Sequence, residues 1–269
     1  MTTRFCLRTL GAVVVTVVAA SAHAAAVMPN FANVPTGWST DRYDPASFAN
    51  VGTYQGRGDV LGIGITTAGD AANRGGLSAS FYNTQGKQHA VSGGVGSSLS
   101  AGLFINGSWG DSLNGYVRTD MWGVTCTAAC AGEPDRDYPI IGFTNYGTAG
   151  ARLRVWDGNT TGGWVDLANT IAYDAWTAFE IDFTGSSYDY YVNGSLAYSD
   201  ATINNTVGFT AVIMQAYNFA DPVFFPNVST VAYVAHWSND QTSVPEPGSL
   251  ALAGLALLGL AASRRRNAN

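Results

Sequence analysis

Two carboxylates on one predicted strand are the residues best placed for acid–base chemistry. Glu180 and Asp182 stand in "FEIDF" and alternate with Phe179, Ile181 and Phe183. Successive side chains of a strand point to opposite faces, so the two carboxylates share one face. Paired carboxyls about 5 Å apart can cleave a glycosidic bond, one as nucleophile and the other as proton donor. The same alternation is also expected if the two carboxylates simply lie on the solvent-exposed face of a half-buried strand and have no catalytic role.

The stretch "EIDF" resembles the Glu-Ile-Asp-x-x-Glu-like strand of laminarinase-type jelly-roll glycosidases. That resemblance implies that Glu180 is the nucleophile and Asp182 its helper. Thr184 and Gly185 stand where the second glutamate belongs, so the strand lacks its acid/base. A glycosidase would need a carboxylate from a distant strand near Glu180, and the residues to check are Asp120, Glu133 and Asp137.

A polar loop offers oxygen ligands for a metal ion. Asp157, Asn159 and Asp166 lie in "DGNTTGGWVD", and carboxylate and amide oxygens suit calcium. The fixed D-x-D-x-D-G spacing is missing, and an ordinary polar loop explains the stretch equally well. The sequence contains no G-x-S-x-G elbow, no histidines at metal spacing and no phosphate-binding glycine loop. We therefore predict no cofactor, with a calcium ion in this loop as the alternative.

Tryptophans are the other candidates for ligand contact, because a flat ring can stack on the C–H face of a sugar. Three of them lie near predicted turns, where a ring can be exposed, and we take them as carbohydrate-binding candidates: Trp109, Trp164 and Trp176. Three others end predicted strands and are expected in the core: Trp122, Trp156 and Trp237. Burial is the usual state of tryptophan and remains the alternative for the first three.

Two cysteines lie close together in "CTAAC". Cys126 and Cys130 are the only cysteines left once an exported chain loses Cys6 with its leader. Exported thiols at such short range usually form a disulfide. A zinc half-site is the alternative, but structural zinc needs four ligands, and His89 and His236 are isolated in the sequence.

Short apolar or alternating segments separated by turn residues fill the middle of the chain and predict an all-β domain. Asn106-Gly107, Asp157-Gly158 and Asn193-Gly194 are turn signals, because both residue types tolerate positive φ. Many such strands favour a β-sandwich or barrel. We predict one domain over residues 25–243, with strands at 59–66, 77–83, 99–106, 115–122, 138–144, 151–157, 176–183, 188–194, 207–217 and 230–237.

The segment 176–198 refines this prediction. It reads as a strand, a Gly-Ser turn, a second strand with Tyr188 and Tyr190 on one side, and the Asn193-Gly194 turn. This hairpin resembles the concanavalin A-like lectin/glucanase jelly rolls, including laminin-G-like domains. The resemblance implies a jelly-roll β-sandwich.

The first 24 residues are expected to be a signal peptide. Arg4 and Arg8 precede an apolar run over residues 10–20, and Ala22 and Ala24 offer a small-residue cleavage site. The run is too short for a membrane anchor, which needs roughly 20 apolar residues.

The C-terminal residues 244–269 combine three features. Pro245-Glu246-Pro247 is followed by an uncharged apolar run, 248–263, and by Arg264, Arg265 and Arg266. As a helix the run is about 24 Å long, just short of a ~30 Å hydrocarbon core, so snorkelling arginines would complete a transmembrane helix.

The three features together resemble the PEP-CTERM sorting signal of Gram-negative bacteria. By resemblance, an exosortase recognises the Pro-Glu-Pro motif, removes the tail and passes the protein from the inner membrane to the cell surface or the extracellular polysaccharide matrix. An ordinary C-terminal anchor that stays in place is the alternative.

The net charge of the chain limits the kinds of partner that it can bind. Two of the 13 basic residues lie in the leader and three in the tail, which leaves eight against 18 acidic residues, a net charge near −10. Such a surface disfavours nucleic acid. We predict an exported, surface-directed, non-catalytic β-sandwich protein that binds carbohydrate, with exopolysaccharide as the expected partner, or acts structurally in the matrix. A degenerate jelly-roll glycosidase is the alternative.

Overall fold

A computed structural model describes residues 25–67, 80–158, 163–203, 205–226 and 230–239 of the chain. Short 3-10 helices lie at Ser80–Asn83, Gly107–Gly110, Ser112–Asn114 and Glu133–Asp135. The strands of the described residues are β1 (Ala25–Ala26), β2 (Ser39–Thr40), β3 (Ser47–Asn50), β4 (Leu61–Ile65), β5 (Thr84–Gly93), β6 (Ser97–Ile105), β7 (Arg118–Thr127), β8 (Arg136–Asp137), β9 (Ile140–Thr144), β10 (Arg152–Trp156), β11 (Trp164–Asp166), β12 (Ala175–Phe183), β13 (Ser187–Val192), β14 (Ser195–Ala201), β15 (Thr206–Tyr217) and β16 (Tyr233–Ser238).

The strands form a sandwich of two sheets. The first sheet has the order β14-β13-β12-β6-β16-β4-β3, with β1 added in parallel to β6. The second sheet has the order β11-β10-β9-β7-β15-β5-β2, with β8 paired to β7. All pairings other than β1–β6 are antiparallel, and this arrangement confirms the predicted all-β sandwich.

One predicted strand is wrong. Residues 80–83, the described part of the predicted strand 77–83, form a 3-10 helix, and the strand begins at Thr84 instead. The strand β5 was not predicted, because its sequence "TQGKQHAVSG" is mostly polar. It pairs with β2 and β15 near one edge of the second sheet, where tertiary pairing rather than hydrophobic patterning determines the strand.

The core lies between the two sheets and follows the period-two pattern of the strands. On β12, Phe179, Ile181 and Phe183 are fully buried, whereas Glu180 and Asp182 between them are partly exposed. The large side chains that are buried most completely are Trp237, Tyr188, Tyr190, Phe31, Phe143, Phe179, Phe183 and Phe209. The alternation predicted for this strand is confirmed.

A buried tyrosine ties the two sheets together. The hydroxyl of Tyr233, on β16 of the first sheet, accepts a hydrogen bond from the Tyr217 amide at 3.0 Å. The same hydroxyl lies 2.7 Å from the Tyr217 carbonyl oxygen and 2.8 Å from that of Arg118, both in the second sheet. Burial raises the pKa of this phenol well above its usual value, so it stays neutral and donates.

Two local signals read from the sequence are confirmed, and two predicted terminal segments lie outside the described residues. Asn193 and Gly194 adopt positive φ values of 50° and 76° and form the turn between β13 and β14, as predicted. Cys126 and Cys130 form the predicted disulfide. The leader (1–24) and the sorting tail (244–269) lie outside the described residues, and within the described ranges no helix is long and apolar enough to cross a membrane.

Candidate functional site

The outer face of the second sheet carries polar and aromatic side chains side by side. On β7, Thr119 and Met121 point into the core, so the alternating residues Arg118, Asp120 and Trp122 point outward. The neighbouring strands contribute outward residues at matching heights, because antiparallel partners directly opposite each other lie on the same face. Two parallel rows of side chains result.

The first row is mainly aromatic. Strand register places its members opposite one another across five strands, and we call them the aromatic row: Trp164, Trp156, Ile140, Trp122 and Ile213. The rings of Trp156 and Trp164 meet edge to face, with centroids 5.2 Å apart. Phe81 extends the row at its other end, 6.1 Å from Trp122.

The second row is polar, and on each strand its member lies two residues from the member of the aromatic row. We call its members the polar row: Asp166, Arg154, Gly142, Asp120 and Gln215. Gly142 has a steric role here. A Cβ at this position would lie 2.4 Å from Asp120 Oδ1, so any side chain would occupy the space between the Asp120 carboxylate and Arg154. The glycine therefore lets the two charges face each other.

Asp120 is the centre of a buried charge network. Its carboxylate is 1% exposed and accepts a hydrogen bond from Arg118 Nε at 2.7 Å. Gln215 Nε2 lies 3.5 Å from the same oxygen, Oδ2, and Arg154 Nη2 lies 3.9 Å from Oδ1. Burial, followed by repulsion from Arg118, lowers the pKa of Arg154 to about 9. Two guanidinium groups thus share one carboxylate.

A cleft of about 550 Å³ lies over the aromatic row, and we call it the second-sheet cleft. Arg42 stacks over Phe81 at 4.6 Å and over Trp122 at 4.5 Å, and its Nη2 donates to Gln215 Oε1 at 3.1 Å. The lining residues are Arg42, Phe81, Arg118, Trp122, Glu133, Tyr138, Ile140, Trp156 and Trp164. Flat apolar walls with a few directional donors are the usual composition of a small-ligand site.

The predicted tryptophans separate into three environments. Trp164 lines the second-sheet cleft. Trp109 is 6% exposed in the core, so its predicted exposure is wrong: the 3-10 turn that contains it folds inward against Phe143 and Tyr233. Trp176 lies on the outer face of the first sheet, where its Nε1 donates to the Gln55 carbonyl.

Sequence reasoning missed several residues of the second-sheet cleft. Trp122 is buried as expected, at 4% exposed, but in a small cluster with Ile140 and Ile213 on the outer face of the second sheet. Trp156 was also expected in the core but is only half-buried against this cluster, and both rings line the cleft. Arg118 and Arg154 were not singled out. A signal was present: "RTDMW" and "RLRVW" each place arginine and tryptophan on the same side of a strand, at positions an even number of residues apart.

Glu180 and Asp182 lie on the outer face of the first sheet, where Asp182 is directly opposite Asp189 of β13. The three carboxylates that we proposed to check near Glu180 are elsewhere. Asp120 and Asp137 lie on β7 and β8 of the second sheet, and Glu133 lines the second-sheet cleft. The structure therefore places all three away from the face that carries Glu180.

The calcium candidates do not come together. Asp157 is buried and accepts a hydrogen bond from the Tyr198 hydroxyl at 2.6 Å, whereas Asp166 pairs with Arg152 at 2.9 Å on the outer face. Asn159 lies outside the described residues. Over the part of the chain that the structure describes, no three His, Cys, Asp or Glu side chains are grouped so as to hold a metal ion.

A second cleft, of about 520 Å³, opens on the outer face of the first sheet, and we call it the first-sheet cleft. Tyr54 stacks on His236 there, with ring centroids 3.7 Å apart, and meets Phe104 edge to face at 5.4 Å. Burial lowers the pKa of His236, so the ring is neutral near pH 7. Trp176 lies beside this cluster, 6.4 Å from Tyr54.

Residues 243–266 match the PEP-CTERM protein-sorting motif. The chain therefore carries an export and sorting signal of the kind an exosortase processes, as predicted from Pro245, Glu246, Pro247 and the three arginines at 264–266. No curated protein matches the chain.

The fold is similar to several solved structures at low sequence identity. A Bacillus licheniformis β-glucanase is 17% identical with a TM-score of 0.40, over 77% of this chain and 94% of that one. A glycosyl hydrolase family 16 protein of Mycobacterium smegmatis is 13% identical with a TM-score of 0.42, over 78% and 96%. An endo-β-1,4-glucuronan lyase from Trichoderma reesei is 11% identical with a TM-score of 0.45, over 76% and 90%.

Proposed function

We propose that this exported protein binds carbohydrate, without cleaving it, in the second-sheet cleft. The observation that carries the proposal is the aromatic row, in which Trp122, Trp156 and Trp164 lie beside the buried donors of the polar row. Tryptophan faces pack against the C–H faces of sugar rings, and the adjacent guanidinium groups donate to sugar oxygens. Trp122 Nε1 adds a buried donor with no hydrogen-bond partner among the described residues.

Replacing Trp164 by alanine is expected to weaken glycan binding about tenfold or more, because a truncated aromatic anchor typically loses 1–2 kcal/mol or more. Trp176→Ala is the matched control, since Trp176 is also half-buried but lies on the opposite outer face. The measurement is a glycan-array screen of residues 25–243, followed by titration calorimetry with the best soluble oligosaccharide. Loss of binding in Trp176→Ala alone would move the site to the first-sheet cleft, and no binding to any glycan would contradict the proposal.

The absence of catalysis is also part of the proposal. Glycoside hydrolysis needs one carboxyl that is free to attack or to activate water and a second that donates a proton. Asp120 is buried and held by Arg118 at 2.7 Å, and the Glu133 carboxylate accepts a hydrogen bond from the Tyr138 hydroxyl at 2.9 Å. Neither is arranged for that chemistry.

We expect no new reducing ends when the protein is incubated with the glycan that it binds. Reducing-end quantification over time, with a protein-free incubation as the reference, measures this directly. Release of reducing ends by the wild-type protein would instead support the alternative, a degenerate or unusual jelly-roll glycosidase.

The destination of the protein follows from the sorting motif by inference. An exosortase is the expected processing partner, and the cell surface or the extracellular polysaccharide matrix of a Gram-negative bacterium is the expected location. A structural role in that matrix is compatible with glycan binding, because a protein that binds exopolysaccharide is retained in the matrix.

A further inference from the structure

Cations are concentrated at one place in this acidic protein. Residues 25–243 contain eight basic side chains against 18 acidic ones. Four of the eight lie on the outer face of the second sheet or line its cleft: Arg42, Arg118, Arg152 and Arg154. Half of the basic side chains therefore lie on this outer face or beside its cleft, and of these Arg42 and Arg118 line the cleft, while the remainder of the protein is strongly acidic.

The four arginines differ in whether each has a carboxylate partner of its own. Arg42 contacts Asp41 in an ion pair, and Arg152 pairs with Asp166 at 2.9 Å. Arg152 also donates to the backbone carbonyl oxygens of Tyr146 and Gly150. Each of these two arginines therefore pairs with its own carboxylate.

Arg118 and Arg154 differ, because they share Asp120. Arg154 is 7% exposed, and its Nε and Nη2 have no hydrogen-bond acceptor among the described residues. Its guanidinium lies 3.6 Å from the centroid of Trp164, and Arg118 lies 4.9 Å from the same ring. Both cations thus converge on a tryptophan that lines the second-sheet cleft.

We propose that the second-sheet cleft recognises an acidic polysaccharide, one whose sugars carry carboxylate groups, as uronic acids do. This inference rests on the proposed function and specifies its ligand. A ligand carboxylate supplies the second anion for the Arg118–Arg154 pair, and the planar guanidinium fork matches a carboxylate with two parallel hydrogen bonds. The pyranose ring that carries the carboxylate stacks on the aromatic row. Glu133 lies at the rim, where its carboxylate is bonded to Tyr138.

The test compares polyuronates with their own carboxyl-reduced forms, in which each carboxylate becomes a primary alcohol. We expect oligogalacturonate, oligoglucuronate or oligomannuronate to bind the wild-type domain about 10–100-fold more tightly than the reduced form, the range of one or two charge-assisted hydrogen bonds. Added salt is expected to reduce this difference in affinity, because salt screens the interaction between charges. Dextran sulfate is the third arm, and equal binding of sulfate and carboxylate polymers would overturn recognition of the carboxylate.

Two matched variants locate the contact on one strand. Arg154→Lys keeps the charge but loses the fork, and we expect it to reduce polyuronate affinity about tenfold. Arg152→Lys, two residues away on the same face, is expected to leave affinity unchanged. The comparison of polyuronates with their reduced forms uses the wild-type protein, so it tests the inference even if Arg154→Lys fails to fold. Binding confined to neutral glycans in a Trp164-dependent way would overturn this inference and leave the proposed function intact, whereas no glycan binding would overturn both.

Discussion

Replacing Asp120 by asparagine is expected to lower the free energy of unfolding by about 3–5 kcal/mol. The carboxylate is 1% exposed, with Arg118 Nε at 2.7 Å and Arg154 Nη2 at 3.9 Å. Asparagine has nearly the same shape, so the change removes the charge while the packing stays. Two largely buried guanidinium groups then lose the anion that compensates them, and desolvated charges without a partner are strongly destabilising. Urea unfolding followed by tryptophan fluorescence measures the loss.

Asp166→Asn is the matched control for this prediction. Asp166 also belongs to the polar row and pairs with Arg152 Nε at 2.9 Å, but its side chain is 52% exposed. Exposed ion pairs contribute little, so we expect a loss below about 1 kcal/mol. Equal losses in the two variants would show that the Asp120 network does not stabilise the sheet. The double variant Asp120→Asn/Arg154→Met is expected to recover part of the stability, because it also removes one of the two cations that the single variant leaves without an anion.

Replacing Trp237 by alanine is expected to destabilise the fold by about 3–5 kcal/mol. Trp237 is fully buried between the sheets and packs on Phe179, with ring centroids 5.9 Å apart. Its Nε1 donates to Thr119 Oγ1 at 2.9 Å, which in turn donates to the Gln215 carbonyl at 2.7 Å. The substitution leaves a large cavity and removes a hydrogen bond between the two sheets. The midpoint of chemical denaturation is the measurement.

Trp164→Ala serves as the control for this second prediction as well. Trp164 is only half-buried, on the outer face of the second sheet, so water fills the space left by its ring and the destabilisation is expected to be clearly smaller. The two tryptophans therefore predict opposite phenotypes: Trp237→Ala loses stability, and Trp164→Ala loses binding in a folded protein. A Trp237→Ala protein as stable as Trp164→Ala would contradict the assignment of Trp237 to the core.

The amino-acid sequence by itself determined the local properties of this protein. Alternation along residues 179–183 decided which side of β12 is buried, and Asn193-Gly194 decided one turn, because both signals act between neighbours in the chain. The short spacing of Cys126 and Cys130 favoured their disulfide. The sorting motif at 243–266 is likewise a local signal, read as a linear segment.

Only the tertiary structure decided which of these local faces form the site. Glu180 and Asp182 looked suited to chemistry, but strand order places them on one outer face and the tryptophan cluster on the other. Trp122, Trp156 and Trp164 are up to 42 residues apart in sequence and become neighbours through the register of four strands. A period-two pattern tells which residues share a face of one strand, but not which strands lie side by side. Pairing is settled by long-range packing, and so the candidate site emerges only when the sheet is assembled.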